Sequence, residues 1–259
     1  MPFGAIGNDE SGMRIMMLLK RRGILPATLL PEPDWITPHK VRIVAHQHQL
    51  LRLDTEDLKS ISPHTSQALA RSFARWVPKL QALIISDYRK GTVTPELNNQ
   101  FKTLARERRL PIFVDPKPEY PEVCRHATVV TPNLHVAERM AGFAMRENRQ
   151  IEKGRRNLLT LLEFSNLLIT RVAEGMTLFE AGGGVYVIPG IPRPVYDVTG
   201  AGDTVLAVLA LATRGRAATR SGRTVQNCRG GVVLKLGTAE ISAQELLDAI
   251  TGNFRNRSS

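Results

Sequence analysis

With 259 residues the chain is long enough for one large α/β domain or two small ones, and its 42% hydrophobic content excludes a disordered chain. No run reaches the apolar length of a membrane span, and the N-terminus has no basic start followed by an apolar core, so no secretory signal is expected. Two cysteines, Cys124 and Cys228, show neither metal-site spacing nor a disulfide framework, which points to the reduced cytoplasm. The formal charge of +11 gathers at Arg106, Arg108 and Arg109, and again at Arg214, Arg216, Arg220, Arg223 and Arg229. Without interleaved aromatics or a helix-turn-helix pattern, this reads as a solvated face, or one that draws in phosphorylated substrates, rather than a nucleic-acid site.

In chain order, Phe3 to Gly7 reads as the tail of a strand, and Glu10 to Arg22 as a helix stopped by Gly23. Ile24 to Leu30 has the composition of a strand, before a link containing Pro31, Pro33 and Pro38. Lys40 to Asp54 alternates as a β-hairpin. His46 and His48 sit near its turn with no acidic or cysteine partner close by, so solvated turn residues are expected there rather than a metal site. Ser66 to Trp76 suits a helix, and Leu80 to Ser86 a buried strand ending in Asp87-Tyr88-Arg89-Lys90-Gly91. A helix over Pro95 to Arg109 precedes a strand over Leu110 to Val114 that runs into Asp115-Pro116-Lys117. The strand Ala127 to Val130 runs into Thr131-Pro132-Asn133, with a helix over Leu134 to Ala141. A helix over Ile151 to Leu162 leads to a strand, Asn166 to Thr170. Short strands, apolar on both sides and alternating with helices, predict a mostly parallel sheet covered on both faces. Ligands of such sheets bind beyond the carboxyl ends of the strands, where these polar endings converge.

Near the end, Asp197-Val198-Thr199-Gly200-Ala201-Gly202-Asp203-Thr204 follows an extended run, Gly184 to Ile188, and opens an apolar run, Val205 to Ala212, that suits a buried helix. A small-residue turn at a helix start leaves backbone N–H groups unpaired at the positive end of the dipole, which is an anion site. An acid there is out of place unless it accepts a proton from an attacking hydroxyl while the amides hold a transferring phosphoryl group. The alternative is a plain helix start with Asp203 as a first-turn acid. Asp87, Asp115 and Asn133 likewise read either as site residues or as turn and N-cap residues, and Lys90 and Lys117 either as phosphate ligands or as solvated lysines.

Asp-x-Thr-Gly-Ala-Gly-Asp resembles the hallmark of the ribokinase-like (PfkB) sugar kinases. Ser86-Asp87-Tyr88-x-Lys90-Gly91, Asp115-Pro116-Lys117 and Thr131-Pro132-Asn133 are similar to one branch, the heptose 7-phosphate kinase domain of bacterial lipopolysaccharide assembly. So are Gln49-Leu50-Leu51-Arg52-Leu53-Asp54, Thr170-Arg171-x-x-Glu174-Gly175-Met176 and Gly231-Val232-Val233-x-Lys235-Leu236-Gly237-Thr238. The resemblance runs from about Phe3 to Ile250 and implies one α/β domain over residues 1–259 with a three-layer ribokinase-like fold, the hairpin belonging to the lid region. It implies a kinase using ATP and Mg2+ that phosphorylates the anomeric hydroxyl of D-glycero-D-manno-heptose 7-phosphate. Asp203 would be the catalytic base, and Gly200, Ala201 and Gly202 the anion hole. Asn133, Thr170, Gly175 and Gly237 would lie along the nucleotide, while Lys117, Lys90 and Asp87 would face phosphate or substrate. The family also implies a homodimer formed through the lid. Other acceptors within the family, and a non-catalytic remnant, are the alternatives. Three features depart from the family pattern. No early sugar-binding Asp or Gly-Gly-x-x-x-Asn stands before Phe3, so the N-terminal strand and part of the lid are expected to be missing. Val136 stands where the family has Glu, with Glu138 two residues on, and Arg229 stands where small residues are usual.

Overall fold

The computed structural model describes residues 1–45, 48–57, 59–145, 148–171, 174–189, 200–213, 242 and 244. The chain divides into two compact units, Met1–Leu80 with Tyr88–Arg109, and Gln81–Asp87 with Leu110–Ser259.

In the first unit β1 (Gly4–Gly7) and β2 (Leu29–Glu32) pair in parallel, joined by α1 (Glu10–Arg21). Asp9 caps α1, one carboxylate oxygen accepting the Gly12 N–H at 2.7 Å and the other the Thr37 N–H at 2.7 Å. Desolvation pushes the Asp9 pKa up, but the backbone donors of Thr37 and Gly12 outweigh it and hold the carboxyl below its ordinary value. The second strand begins later than the sequence predicts. The Leu29 N–H closes a turn onto the Pro26 carbonyl at 2.9 Å, so the residues before it bend instead of extending.

β3 (His39–Ala45) and β4 (His48–Thr55) form the expected antiparallel hairpin, irregular between Ile43 and Val44. Val41 and Leu53 on one row, and Val44 and Leu50 elsewhere on the ribbon, all stay exposed. His46 lies outside the described residues.

α2 (Pro63–Trp76) is capped by Ser62 and α3 (Pro95–Glu107) by Thr94, each with proline at the first helical position, where a missing N–H leaves nothing unsatisfied. Their inner faces meet at Phe73 and Phe101, stacked at 4.1 Å, with Phe3 edge-on to both. Gly91, at φ +84°, passes so close to the 59–60 backbone that a Cβ would stand 2.0 Å from the Lys59 carbonyl oxygen.

The second unit holds a six-stranded sheet: β5 (Leu83–Ser86), β6 (Ile112–Asp115), β7 (Val129–Val130), β8 (Asn166–Arg171), β9 (Gly175–Phe179) and β10 (Val185–Ile188), in the order β10-β9-β8-β7-β6-β5. β5 to β8 are parallel, as expected, while β9 runs antiparallel to both of its neighbours, β8 and β10. β9 departs from the strand–helix alternation of the sequence: it pairs back on β8, Arg171 beside Gly175, with Gly175 at φ +91°. α4 (Leu134–Ala141), α5 (Asn148–Leu162) and α6 (Ala201–Thr213) complete the unit.

α6 lays Val205, Leu206, Val208 and Leu209 on one face of the sheet, against Phe113, Val129, Leu168, Met176, Leu178 and Ile188. The opposite row, including Ile112, Val114, Val130, Leu167 and Ile169, is equally buried, with α4 against β8. Both faces are therefore covered, as parallel strands require. Ile84 is the exception to the buried-strand expectation: it continues the α6-facing row onto β5, the outer strand, and is 44% exposed. Leu211 on α6 is exposed as well, so the all-apolar helix is not buried all round.

Candidate active site

β5, β6, β7 and β8 end at one edge of the sheet, and the polar residues predicted from the sequence follow there: Ser86-Asp87, Asp115, Thr131 to Asn133, and Thr170-Arg171. In register, Ser86 stands beside Asp115, and two residues earlier Ile84 stands beside Phe113, which packs under α6. With a side-chain period of two, Ser86 and Asp115 share the α6 face of the sheet. The α6 N-terminus is therefore where these endings meet a helix dipole.

Gly200 takes φ +81° and makes the turn into the helix. Its carbonyl accepts both the N–H and the hydroxyl of Thr204, each at 3.0 Å. The N–H groups of Ala201, Gly202 and Asp203 belong to the first turn, where an α-helix supplies no acceptor. The Ala201 side chain is buried, whereas Gly202 is exposed, and no described atom lies within 4 Å of where a Gly202 Cβ would point. The turn thus presents small residues and the positive end of the dipole, two requirements of an anion site.

Asp203 enters from that first turn, half-buried, and the Ser86 hydroxyl donates to its Oδ1 at 3.2 Å. Asp87 is 2% exposed, and its N–H donates to the Asp115 carbonyl at 3.3 Å. Burial pushes the Asp115 carboxyl up to about 6; Lys117 opposes the shift, and the charges of Asp203 and Asp87 reinforce it. Asp87, Asp115, Lys117 and Asp203 are thus one electrostatic group.

Other predicted residues have a structural duty. Asn133 caps α4, its Oδ1 accepting the Val136 N–H at 2.8 Å, and it bridges to Thr170, whose N–H donates to the Pro132 carbonyl at 3.1 Å. Gly175 is buried in the β8–β9 reversal, which Arg171 straps by donating to Glu174 and to the Thr177 hydroxyl, each at 3.2 Å. Val136 is buried in α4, and Glu138 accepts the Met145 N–H at 2.7 Å. One oxygen of Glu138 thereby helps close the turn after α4. Lys90 lies in the first unit, ion-paired with Glu56 rather than simply solvated. Gly237, Asp197, Thr199 and Arg229 lie outside the described residues. Ser86 was overlooked as a chemical group. It appears in the sequence only as the residue before Asp87, and its partner is 117 positions away.

Among the described residues no three histidine, cysteine or carboxylate groups cluster to hold a metal ion. Magnesium accepts phosphate oxygens and water as most of its ligands, so it fits here as a companion of bound phosphates rather than in an all-protein cage.

The family model of pfkB family carbohydrate kinases matches residues 2–245. The chain is 35% identical over 246 residues to the bifunctional protein HldE of Geobacter sulfurreducens, covering 95% of this chain and 50% of that protein. It is 39% identical over 254 residues to HldE of Histophilus somni, covering 96% and 51%. The chain spans about half the length of the curated relatives it matches. Among solved structures, Arabidopsis thaliana ribokinase complexed with ribose and ATP superposes with TM-score 0.76 at 18% identity, covering 96% of this chain and 80% of that one. Phosphofructokinase-2 from Escherichia coli in complex with substrates and products gives 0.76 at 14%, covering 97% and 81%. The structural likeness establishes a ribokinase-like fold, and the sequence match establishes descent: the chain belongs to the pfkB family of carbohydrate kinases.

Proposed function

We propose that this chain is an ATP-dependent sugar kinase that phosphorylates the anomeric hydroxyl of D-glycero-D-manno-heptose 7-phosphate, giving the 1,7-bisphosphate for lipopolysaccharide core assembly in the cytoplasm. The observation that carries the reading is the carboxylate of Asp203 in the first turn of α6, after a turn at Gly200 and Gly202 where no described atom lies within 4 Å of an added Cβ. The heptose acceptor rests on the branch-level motifs and on the HldE relatives.

In the reaction the acceptor hydroxyl attacks the γ-phosphorus of ATP. Its proton passes to Asp203, the bond to the β-phosphate oxygen breaks, and ADP leaves. The N–H groups at Gly200 to Gly202 hold the charge of the transferring phosphoryl group. Magnesium bound with ATP supplies neutralisation of phosphate charge. Lys117, whose charge acts on Asp115, would meet phosphate, while Asp87 follows β5 at the same edge of the sheet. Asn133, Thr170 and Gly175 frame the nucleotide side, a role compatible with their structural duties.

A second reading, a catalytically impaired relative, is favoured by one observation: Val136 is apolar and buried, and Glu138 is occupied elsewhere. ATP consumption by the purified chain with Mg2+ and the heptose phosphate, beside Asp203→Asn, separates the two. Sugar-dependent turnover lost in the variant supports the kinase. A folded wild-type chain with no turnover supports the impaired relative, and turnover with another sugar or nucleoside alone corrects the acceptor.

A further inference from the structure

We infer that Ser86 is a positioning residue for Asp203, its hydroxyl fixing one carboxylate oxygen so that the carboxylate is held toward the acceptor hydroxyl. The inference rests on the reading of Asp203 as the catalytic base.

The Ser86 hydroxyl donates to Asp203 Oδ1 at 3.2 Å. That is at the long end for a hydroxyl–carboxylate bond. The two residues come from elements with no sequence proximity: Ser86 ends β5 and Asp203 lies in the first turn of α6. The contact exists because β5 and α6 pack together and because Ser86 shares the α6 face with Asp115.

The surroundings explain why a neutral donor is needed there. Asp203 interacts with the charge of Asp115, and Asp115 also with that of Asp87; Lys117 is the cation offsetting Asp115. Like charges so arranged push one another apart. A hydroxyl holds the carboxylate without adding a charge. It can donate only one proton, so it engages one carboxylate oxygen. A lysine in its place would neutralise the base, and an alanine would remove this restraint. In the reaction the acceptor proton goes to Asp203, while the Ser86 proton stays on its own oxygen.

The test compares Ser86→Ala, Ser86→Thr, Asp203→Asn and the Ser86→Ala/Asp203→Asn double variant, with MgATP and D-glycero-D-manno-heptose 7-phosphate. Orientation of a general base accounts for part of its effect, so Ser86→Ala is expected to lower kcat by about tenfold or more with both KM values within about twofold. Ser86→Thr, which keeps the hydroxyl, restores most of the rate. In the Asp203→Asn background, removal of Ser86 has little further effect, since it acts through a group already lost. Independently of turnover, the Asp203 carboxyl carbon resonance at pH 8, assigned with Asp203→Asn, should move in Ser86→Ala and return in Ser86→Thr. A loss in the double variant as large as in the single one, a rise in KM alone, or an unmoved resonance overturns the positioning role. Full turnover by Asp203→Asn overturns instead the reading of Asp203 as base, so the two failures are distinct.

Discussion

Asp115→Asn should stabilise the protein, and the gain should grow with pH. Folded Asp115 holds its proton to about pH 6, against 3.8 for the ordinary carboxyl, chiefly because burial disfavours the charged form and secondarily because Asp203 and Asp87 add negative charge beside it. The native state therefore binds this proton more tightly than the unfolded chain does. The stability this confers is complete below about pH 4 and is lost as pH rises through about 6, since the unfolded chain ionises first. At roughly 1.4 kcal/mol per unit, ionising Asp115 in the native state takes away about 3 kcal/mol by pH 8. Asparagine stays neutral and suffers no such loss. Urea unfolding of both proteins should show the variant's advantage rising by about 2 kcal/mol between pH 4.5 and pH 8, on top of any pH-independent packing difference. A difference that stays flat with pH, or that shrinks as pH rises, would refute the claim that Asp115 is held in a desolvated, anionic setting.

Asp203→Asn removes one of the charges acting on Asp115, so it should lower the pH at which Asp115 titrates, measurable by carboxyl NMR; an unchanged midpoint would mean the two do not interact. Gly91→Ala would press a methyl group against the Lys59 carbonyl from a left-handed backbone, and thermal unfolding should show a loss of about 2 kcal/mol or more. Leu206→Ala empties a fully buried position between α6 and the sheet, with an expected loss of about 2–5 kcal/mol in urea unfolding. Ile84→Lys puts a charge on the exposed apolar position of the outer strand; light scattering should show less self-association with an unchanged unfolding midpoint, and a large stability loss would mean Ile84 is covered.

Local chemistry made much of this protein readable. The helix from Pro95, the apolar runs of β5, β6 and β8, and the small-residue turn ahead of α6 are decided within a few positions, by φ preferences and hydrogen-bond donors close along the chain, whereas α2 begins at Pro63 behind its Ser62 cap, three residues ahead of the predicted start at Ser66. The order of polar strand endings followed too, because a parallel sheet brings successive carboxyl ends to one edge. β9 escaped notice because a reversal at a buried glycine carries no helix-length spacer. The exposed rows of the hairpin escaped because alternation says that two faces differ, not that either is covered.

The site divides in the same way. Asp203 and the amides around it could be named from the sequence, since a helix start and its donors are local. That Asn133 caps a helix, that Glu138 accepts the Met145 N–H, and that the Ser86 hydroxyl reaches Asp203 were decided only in three dimensions. Ser86 and Asp203 are 117 residues apart, and Asp115 is raised by burial together with charges from two other elements. A sequence states which groups the chain carries; burial and the distances between remote groups depend on how strands and helices pack, so the proton affinity and orientation of these carboxylates were fixed by the tertiary structure alone.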